Sequence, residues 1–306
     1  MAHQLLIPEY PAFIPFDFEH KEDYEKIYNK YEPYSEFYFA NLAVWLNLNN
    51  DLEISKLNNN LIIRFSTVDK PNQLLYGIYG NNLIDETFNK ILLQKQPKGI
   101  YPTKIDIVPE FTINALKNKN KFDVFEDRDN WEYIYSATDQ SQLNNKKFAN
   151  NRYKLNKFLH DHGSDIKIEE HWLNTAISPK LSSFLNKNIS KNDQNNHEKI
   201  ALTNAFKYGA QLNSKIMLLY INKQISGFVI YYLLNKKYAQ IGHIKVDYKF
   251  LNIFNFLFHE LATDLNSKSV KYINLEQDLG IGGLRTHKTE MRPYKFLKKY
   301  TISLKK

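Results

Sequence analysis

Two groups of polar side chains sit where the chain otherwise alternates in apolar residues. In the stretch Tyr238 to Val246, His243 and Lys245 are two apart and share one face of a strand. From Val270 onward, Asn274, Glu276 and Asp278 share a face if the chain stays extended. Glu276 and His243 are the residues able to take a proton from an incoming nucleophile. Lys245, with Arg285 and Lys288 further on, can hold phosphates or a carboxylate. Asp278 can act beside the acid–base pair, bind the cationic end of a substrate, or pair with one of these cations. The same set also reads as a structural ion-pair cluster closing a sheet edge, with Gly280, Gly282 and Gly283 making the turn.

The elements around these residues are predicted most clearly in the second half. Ile216 to Ile221, a two-residue turn at Asn222 and Lys223, Ile225 to Leu233, a second turn and Tyr238 to Val246 form an antiparallel meander. Phe254, Leu257, Phe258, Leu261 and Leu265 then mark one face of a helix, and Val270 to Leu275 a short strand. Three antiparallel strands, a helix and a strand pairing in parallel with the third make up the core of the GNAT acyltransferase fold. In such sheets the fourth and fifth strands splay apart at their C-terminal ends, which brings both polar groups to one cleft.

The first half predicts a helix on Tyr24, Ile27, Tyr28 and Tyr31, and a buried segment from Phe37 to Leu48. Strands at Leu61 to Phe65 and Leu74 to Tyr79, a helical stripe at Ile84, Phe88, Ile91 and Leu92, and a strand at Tyr101 to Val108 follow. The charged stretch from Lys117 to Asn130 places a domain boundary, giving domains of residues 1–118 and 119–306. Beyond it come a strand at Trp131 to Tyr135, a helix carrying Phe148, Leu155 and Phe158 with Lys147 and Arg152 on its flanks, and a strand at Ile166 to Trp172. Asn186 to Glu198, polar and rich in Asn, reads as a loop, with a helix through Leu202, Ala205 and Phe206 after it. His197 and Glu198 either cap that helix or approach the cleft. The fold class is α/β (α+β), with two tandem GNAT-like domains, each a mixed, mostly antiparallel sheet flanked by helices.

INLEQDLGIGGLRTHKTEMRP, from Ile273 to Pro293, resembles the signature of a bacterial family of uncertain function related to the C-terminal catalytic domain of phosphatidylglycerol lysyltransferases. NWEYIYSATDQSQLNNKKFANNRYKLNKF, from Asn130 to Phe158, resembles the start of that family's second domain. The resemblance implies two GNAT-like domains and an acyl- or aminoacyltransferase. The donor is acyl-CoA or aminoacyl-tRNA, and the acceptor a lipid, a peptide or a small amine. Within that reading Glu276, His243 and Asp278 serve the chemistry, while Lys245, Asn274, Arg285, Lys288, Lys147 and Arg152 bind substrate or phosphate. The acetyl-CoA branch binds pyrophosphate on a glycine-rich loop after the fourth strand. Here that loop, DYKFLNIF from Asp247 to Phe254, has no glycine, which favours aminoacyl-tRNA. The alternative is a non-catalytic ligand- or RNA-binding protein with a degenerate GNAT fold.

Composition removes other classes. The chain of 306 residues has no Cys, which excludes disulfides, thiolate metal sites and cysteine nucleophiles. No His, Asp and Glu set has metal-ligand spacing: His259-Glu260 is followed by Thr263 where a zinc-protease helix needs its second His, and His160, Asp161 and His162 read as a solvated helix end. Too little chain follows Gly283 for a dinucleotide-binding unit. The N-terminus, broken by Pro8, Pro11 and Pro15, does not read as a signal peptide, so a soluble, cytoplasmic protein is expected. The net charge is +8, and from Arg285 onward eight basic residues face Glu290 alone. That tail is either a solvated edge or a patch for tRNA, acyl-CoA phosphates or an anionic membrane surface.

Overall fold

The computed structural model describes residues 6–46, 51–67, 70–93, 102–188, 193–234 and 237–305. The chain forms two compact units, Met1–Trp131 with Leu297–Lys306, and Glu132–Phe296. Strands are numbered along the chain. The first unit contains β1 (Ile14–Pro15), β2 (Glu53–Leu57), β3 (Asn60–Thr67), β4 (Lys70–Tyr79), β5 (Ile105–Pro109) and β6 (Phe122–Glu126). The second contains β7 (Glu132–Ser136), β8 (Ile166–Trp172), β9 (Ser214–Ile221), β10 (Gln224–Leu233), β11 (Tyr238–Val246), β12 (Tyr272–Asn274) and β13 (Lys295–Leu297). A last strand, β14 (Lys299–Leu304), returns to the first unit.

Each unit holds one 7-stranded mixed sheet, in the orders β1-β2-β3-β4-β5-β14-β6 and β13-β7-β12-β11-β10-β9-β8. The two orders share a pattern. A meander (β2-β3-β4, or β9-β10-β11) leads through a helix to a strand that lies parallel to the third meander strand. The helices in question, Ile84–Leu93 and Ile253–Ser267, bury one stripe of apolar residues at intervals of three and four. In the second unit Phe256, Leu257, Leu261 and Leu265 pack with Val229, Tyr231, Ala239, Ile241 and Ile273 and with Leu155 and Phe158 of the helix Ala149–His162. Fully burying each such side chain contributes about 1.5–3 kcal/mol, so this face of the sheet is where the unit gains most of its stability.

The meander is tight because Asn222 and Lys223 both adopt positive φ (52° and 62°), as a two-residue turn between twisted strands requires. The opposite face of the sheet meets the helix Ser178–Asn188 through Phe184 on Phe228, and the helix Asp193–Tyr208 through Glu198. The polar stretch 186–198, expected as a loop, is instead largely the end of one helix and the start of the next, with residues 189–192 outside the described ones. Leu181, Phe184, Ala201, Leu202, Ala205 and Phe206 supply the buried stripe that overrides its Asn-rich composition.

The division falls between Trp131 and Glu132 rather than at residue 118. The charged segment read as a linker contains β6, and β14 pairs with β5 on one side and β6 on the other, so both complete the first sheet. Of the expected strand at 101–108, residue 101 lies outside the described residues and Ile105–Pro109 forms β5; likewise Leu48 of the buried segment lies outside them. Among the described residues no helix is long and apolar enough to cross a membrane. Truncation after Phe296 is expected to strip amide protection from β5 and β6 while β9 to β11 stay protected. Peptide-resolved hydrogen exchange checks this, and full protection of β5 and β6 in the truncated chain would contradict the inserted strand.

Candidate functional site

Strand β12 pairs in parallel with β11 over three positions only: Tyr238 with Tyr272, Ala239 with Ile273 and Gln240 with Asn274. β11 then runs on to Val246 beside β10 alone, so the two strands part at Gln240 and Asn274. Past Asn274 the chain stays with β7 instead, the Leu275 N–H donating to the Tyr133 carbonyl (3.0 Å). Glu276 has a φ of 57°, a left-handed conformation that strains a residue other than glycine. It is held there by its N–H on Asn274 Oδ1 (2.9 Å) and by the N–H of Tyr133 on its carbonyl (3.1 Å).

A bulge decides which side chains line the parting. Ile230 lies opposite His243 and Tyr231 opposite Ile241, leaving Gly242 as an extra residue in β11. The bulge shifts the alternation, so Gln240, His243 and Lys245 share a face, while Ile241, Ile244 and Val246 enter the apolar core. A Cβ at position 242 would lie 2.6 Å from Tyr232 Cε2, so glycine is what lets the Tyr232 ring lie against the bulged backbone. Ser214, Tyr232, Gln240 and Asn274 are direct neighbours across β9, β10, β11 and β12, and each is at most 1% exposed. Beyond them Asn274 Nδ2 donates to the buried carboxylate of Glu132. A polar row therefore crosses a sheet face at a depth where apolar side chains are the rule.

At the parting itself Gln240 Nε2 donates to Glu276 Oε1 (2.9 Å) and to the Ile241 carbonyl (3.2 Å). His243 is buried, and burial, aided by the neighbouring Lys245 charge, pushes its imidazole down to about 3. Lys245 reaches Glu198 Oε1 at 2.6 Å, so Glu198 approaches the cleft rather than only capping its helix. Burial also pushes the Tyr232 phenol up, and the Glu276 charge adds to the effect.

The other expected site residues lie elsewhere. The turn at Glu276 ends the extended run, so Asp278 does not share a face with Asn274 and Glu276. Asp278 is fully buried and accepts from the Tyr133 hydroxyl (2.6 Å), the Gly280 N–H (2.9 Å) and a two-pronged Arg285 (2.9 and 2.8 Å). Burial pushes its carboxyl up, but these donors outweigh that and hold it well below the usual carboxylate range. Lys288 is buried and donates to the carbonyls of Leu275 (2.6 Å) and Gln277 (2.5 Å). Arg285, Lys288 and Asp278 thus brace the loop that carries Glu276. Lys147 pairs with Asp139 at 3.4 Å, and Arg152 donates to the carbonyls of Leu143 and Asn145, beside a helix whose Leu155 and Phe158 pack on the opposite, apolar face.

The basic tail is likewise divided. Besides Arg285 and Lys288, Lys299 is buried against Glu36 in the first unit, and Lys295 lies over the rings of Tyr238 and Tyr272. Sequence reasoning missed Tyr232, Gln240 and Glu132 as parts of the polar face. Gly242 inside a strand was the available signal, since an interior glycine marks a bulge. Among the described residues no group of three or more His, Asp or Glu side chains has the placement to hold a metal ion.

The family described as phosphatidylglycerol lysyltransferase, C-terminal, matches residues 28–303. A search of curated proteins by sequence gives no match. Among solved structures, a conserved protein of unknown function from Bacteroides thetaiotaomicron is similar, with a TM-score of 0.78 at 20% identity over 96% of this chain and 99% of that one. The C-terminal domain of a putative lysylphosphatidylglycerol synthetase from Agrobacterium fabrum superposes with a TM-score of 0.57 at 15% identity, covering 85% and 87% of the two chains. FemX gives a TM-score of 0.60 at 6% identity over 96% and 97%. These likenesses carry the fold, and the family match spans both units: the chain belongs to the phosphatidylglycerol lysyltransferase C-terminal family.

Proposed function

We propose that the second unit catalyses transfer of an acyl or aminoacyl group, with the reacting carbonyl held where β11 and β12 part. The observation that carries this reading is the buried polar row that reaches the parting at Gln240 and Asn274, where Gln240 donates to the partly exposed Glu276. A few convergent polar side chains in an otherwise apolar setting are what orients a bound substrate.

Glu276 is the base that takes the proton of the acceptor nucleophile. His243 is unsuited to that role near neutral pH, because an imidazole pushed down to about 3 holds a proton poorly there. It serves instead as a neutral wall between Gln240 and Lys245. Lys245, resting on Glu198, supplies the cation for a donor phosphate or carboxylate. Asp278, Arg285 and Lys288 act through the loop they brace and fix Glu276.

Aminoacyl-tRNA is the donor that fits best. The loop after β11 has no glycine, its left-handed position before the helix Ile253–Ser267 being taken by Asn252 (φ 66°), and the family's description is that of a lysyltransferase. Acyl-CoA is the other donor. A second reading, ligand or RNA binding without transfer, draws support from the inward pairing of Arg285 and Lys288.

Incubating the full chain with charged tRNAs and with acyl-CoAs separates these readings, since a transferase consumes one donor in the presence of acceptor. The Glu276→Gln variant is expected to lose on the order of 10²–10⁴-fold in transfer rate, and unchanged transfer would remove Glu276 from the chemistry.

The state of His243 has its own test. The folded chain binds that proton near pH 3 and an unfolded chain near pH 6.5. Between these values the unfolded state holds more protons, so the contribution is intact above about pH 6.5 and falls by about 1.4 kcal/mol per unit as pH drops toward 3. Between pH 7 and pH 5 the His243→Gln variant is expected to lose roughly 2 kcal/mol less denaturation free energy than the parent chain. Equal losses would show that His243 is not held neutral by burial.

A further inference from the structure

Away from the parting, the second unit holds a cavity of about 770 Å³, within the range that small-molecule ligands occupy. The start of β8, the helix Ser178–Asn188, the turn at Asn222 and Lys223 and the residues just past β11 enclose it. Glu169, one of its lining residues, lies opposite Leu218, Leu218 opposite Phe228, and Phe228 opposite Lys245, so the cavity is on the polar face of the sheet. It lies over β8 to β10, whereas the parting is between β11 and β12. Phe184 and Ile225 give it an apolar part.

The charge of this cavity is unbalanced. Five lysines line it against three carboxylates, an excess of two positive charges. Lys187 and Lys249 are tied to Asp247 (3.0 and 3.4 Å), and Lys167 is tied to Glu169 (2.6 Å). Glu169 also accepts from the Tyr220 hydroxyl (3.0 Å), and the third carboxylate, on Asp165, is exposed. The ammonium groups of Lys180 and Lys223 have no hydrogen-bond or ion-pair partner among the described residues. The backbone at Lys223 is a separate observation. A two-residue hairpin turn of this kind favours glycine at its second place, yet a lysine stands there with a φ of 62°. The turn gains nothing from a side chain at that angle, whereas the cavity gains a cation.

We infer that this cavity binds a small molecule carrying a phosphate monoester, with Lys180 and Lys223 as the cations that receive the phosphate. Charge decides the class. A monoester carries about −1.5 to −2 at pH 7, which matches the excess of the lining, whereas each diester of a nucleic-acid backbone carries a single charge. Each lysine brings several N–H donors to the terminal oxygens, and Phe184 and Ile225 meet the organic part of the ligand. The site is independent of transfer, since none of these residues lines the parting.

The test titrates the ¹⁵N-labelled full chain at pH 7.5 and constant ionic strength with phenyl phosphate, phenyl sulfate and phenol, which share a ring and differ in charge. Saturable shifts in the amides of residues 178–188 and 222–226 are expected with phenyl phosphate, roughly fivefold weaker binding of phenyl sulfate, and no response to phenol. Lys223→Gly should bind phenyl phosphate roughly fivefold more weakly while its melting temperature holds or rises, because glycine relaxes the turn. Lys180→Gln should lose affinity to a similar extent with its melting temperature unchanged. No saturable response to phenyl phosphate, equal affinity for the phosphate and sulfate esters, affinity undisturbed in both variants, or shifts confined to residues 240–246 and 274–278 would overturn the site. An octaribonucleotide without a terminal phosphate should bind no more tightly than phenyl phosphate. Far tighter, salt-sensitive binding that both variants lose would assign these lysines to RNA and overturn the small-ligand site.

Discussion

The pairing of β11 with β12 stops after three residues, and the rest of the site follows from that stop. Backbone hydrogen bonds between parallel neighbours would otherwise seal the sheet. They stop here as the chain follows β7 into Glu276, which adopts a left-handed conformation that costs of the order of 1–3 kcal/mol for a residue with a side chain. The strain persists because several bonds converge on it. The Asn274 side chain takes the Glu276 N–H, Tyr133 takes up its carbonyl and Gln240 reaches its carboxylate.

Around this point the unit separates two kinds of interior. One face of the sheet is apolar and packs against the helices Ala149–His162 and Ile253–Ser267. The other carries Ser214, Tyr232, Gln240 and Asn274 in one row, where burial without partners is unfavourable and each partner matters. The ion pairs behind the loop do a different job. Asp278 with Arg285, and Lys288 with two carbonyls, satisfy groups that the turn would leave exposed or unmatched, and so keep Glu276 in place. Of the polar cluster drawn from the sequence, Asp278, Arg285 and Lys288 pair with one another or with backbone carbonyls, whereas His243, Lys245 and Glu276 lie on the polar side of the sheet with Gln240.

Much of the architecture was legible because it rests on local signals. The meander announces itself through alternation and the Asn222-Lys223 turn, and the helix Ile253–Ser267 through its stripe of Phe and Leu. From these, the adjacency of β11 and β12 follows by topology. What was not legible depends on distant partners. β14 belongs to the first sheet because β5 and β6 accept it, which nothing in its own residues states. Asp278 leaves the cleft because of one backbone angle two residues earlier. Gln240 joins the cleft because Gly242 adds a residue to the strand, a shift that simple alternation hides. The basic tail looked like a single patch because charge is counted along the chain, while the fold buries Lys288 and Lys299 and divides the rest between two units.

The most direct measurement is the hydrogen-exchange footprint of an unreactive donor, an aminoacyl-tRNA whose ester is replaced by an amide. If the reacting carbonyl sits at the strand parting, binding should slow exchange in residues 240–246 and 274–278 above all. A footprint that spares both segments while the analogue is bound would contradict the account.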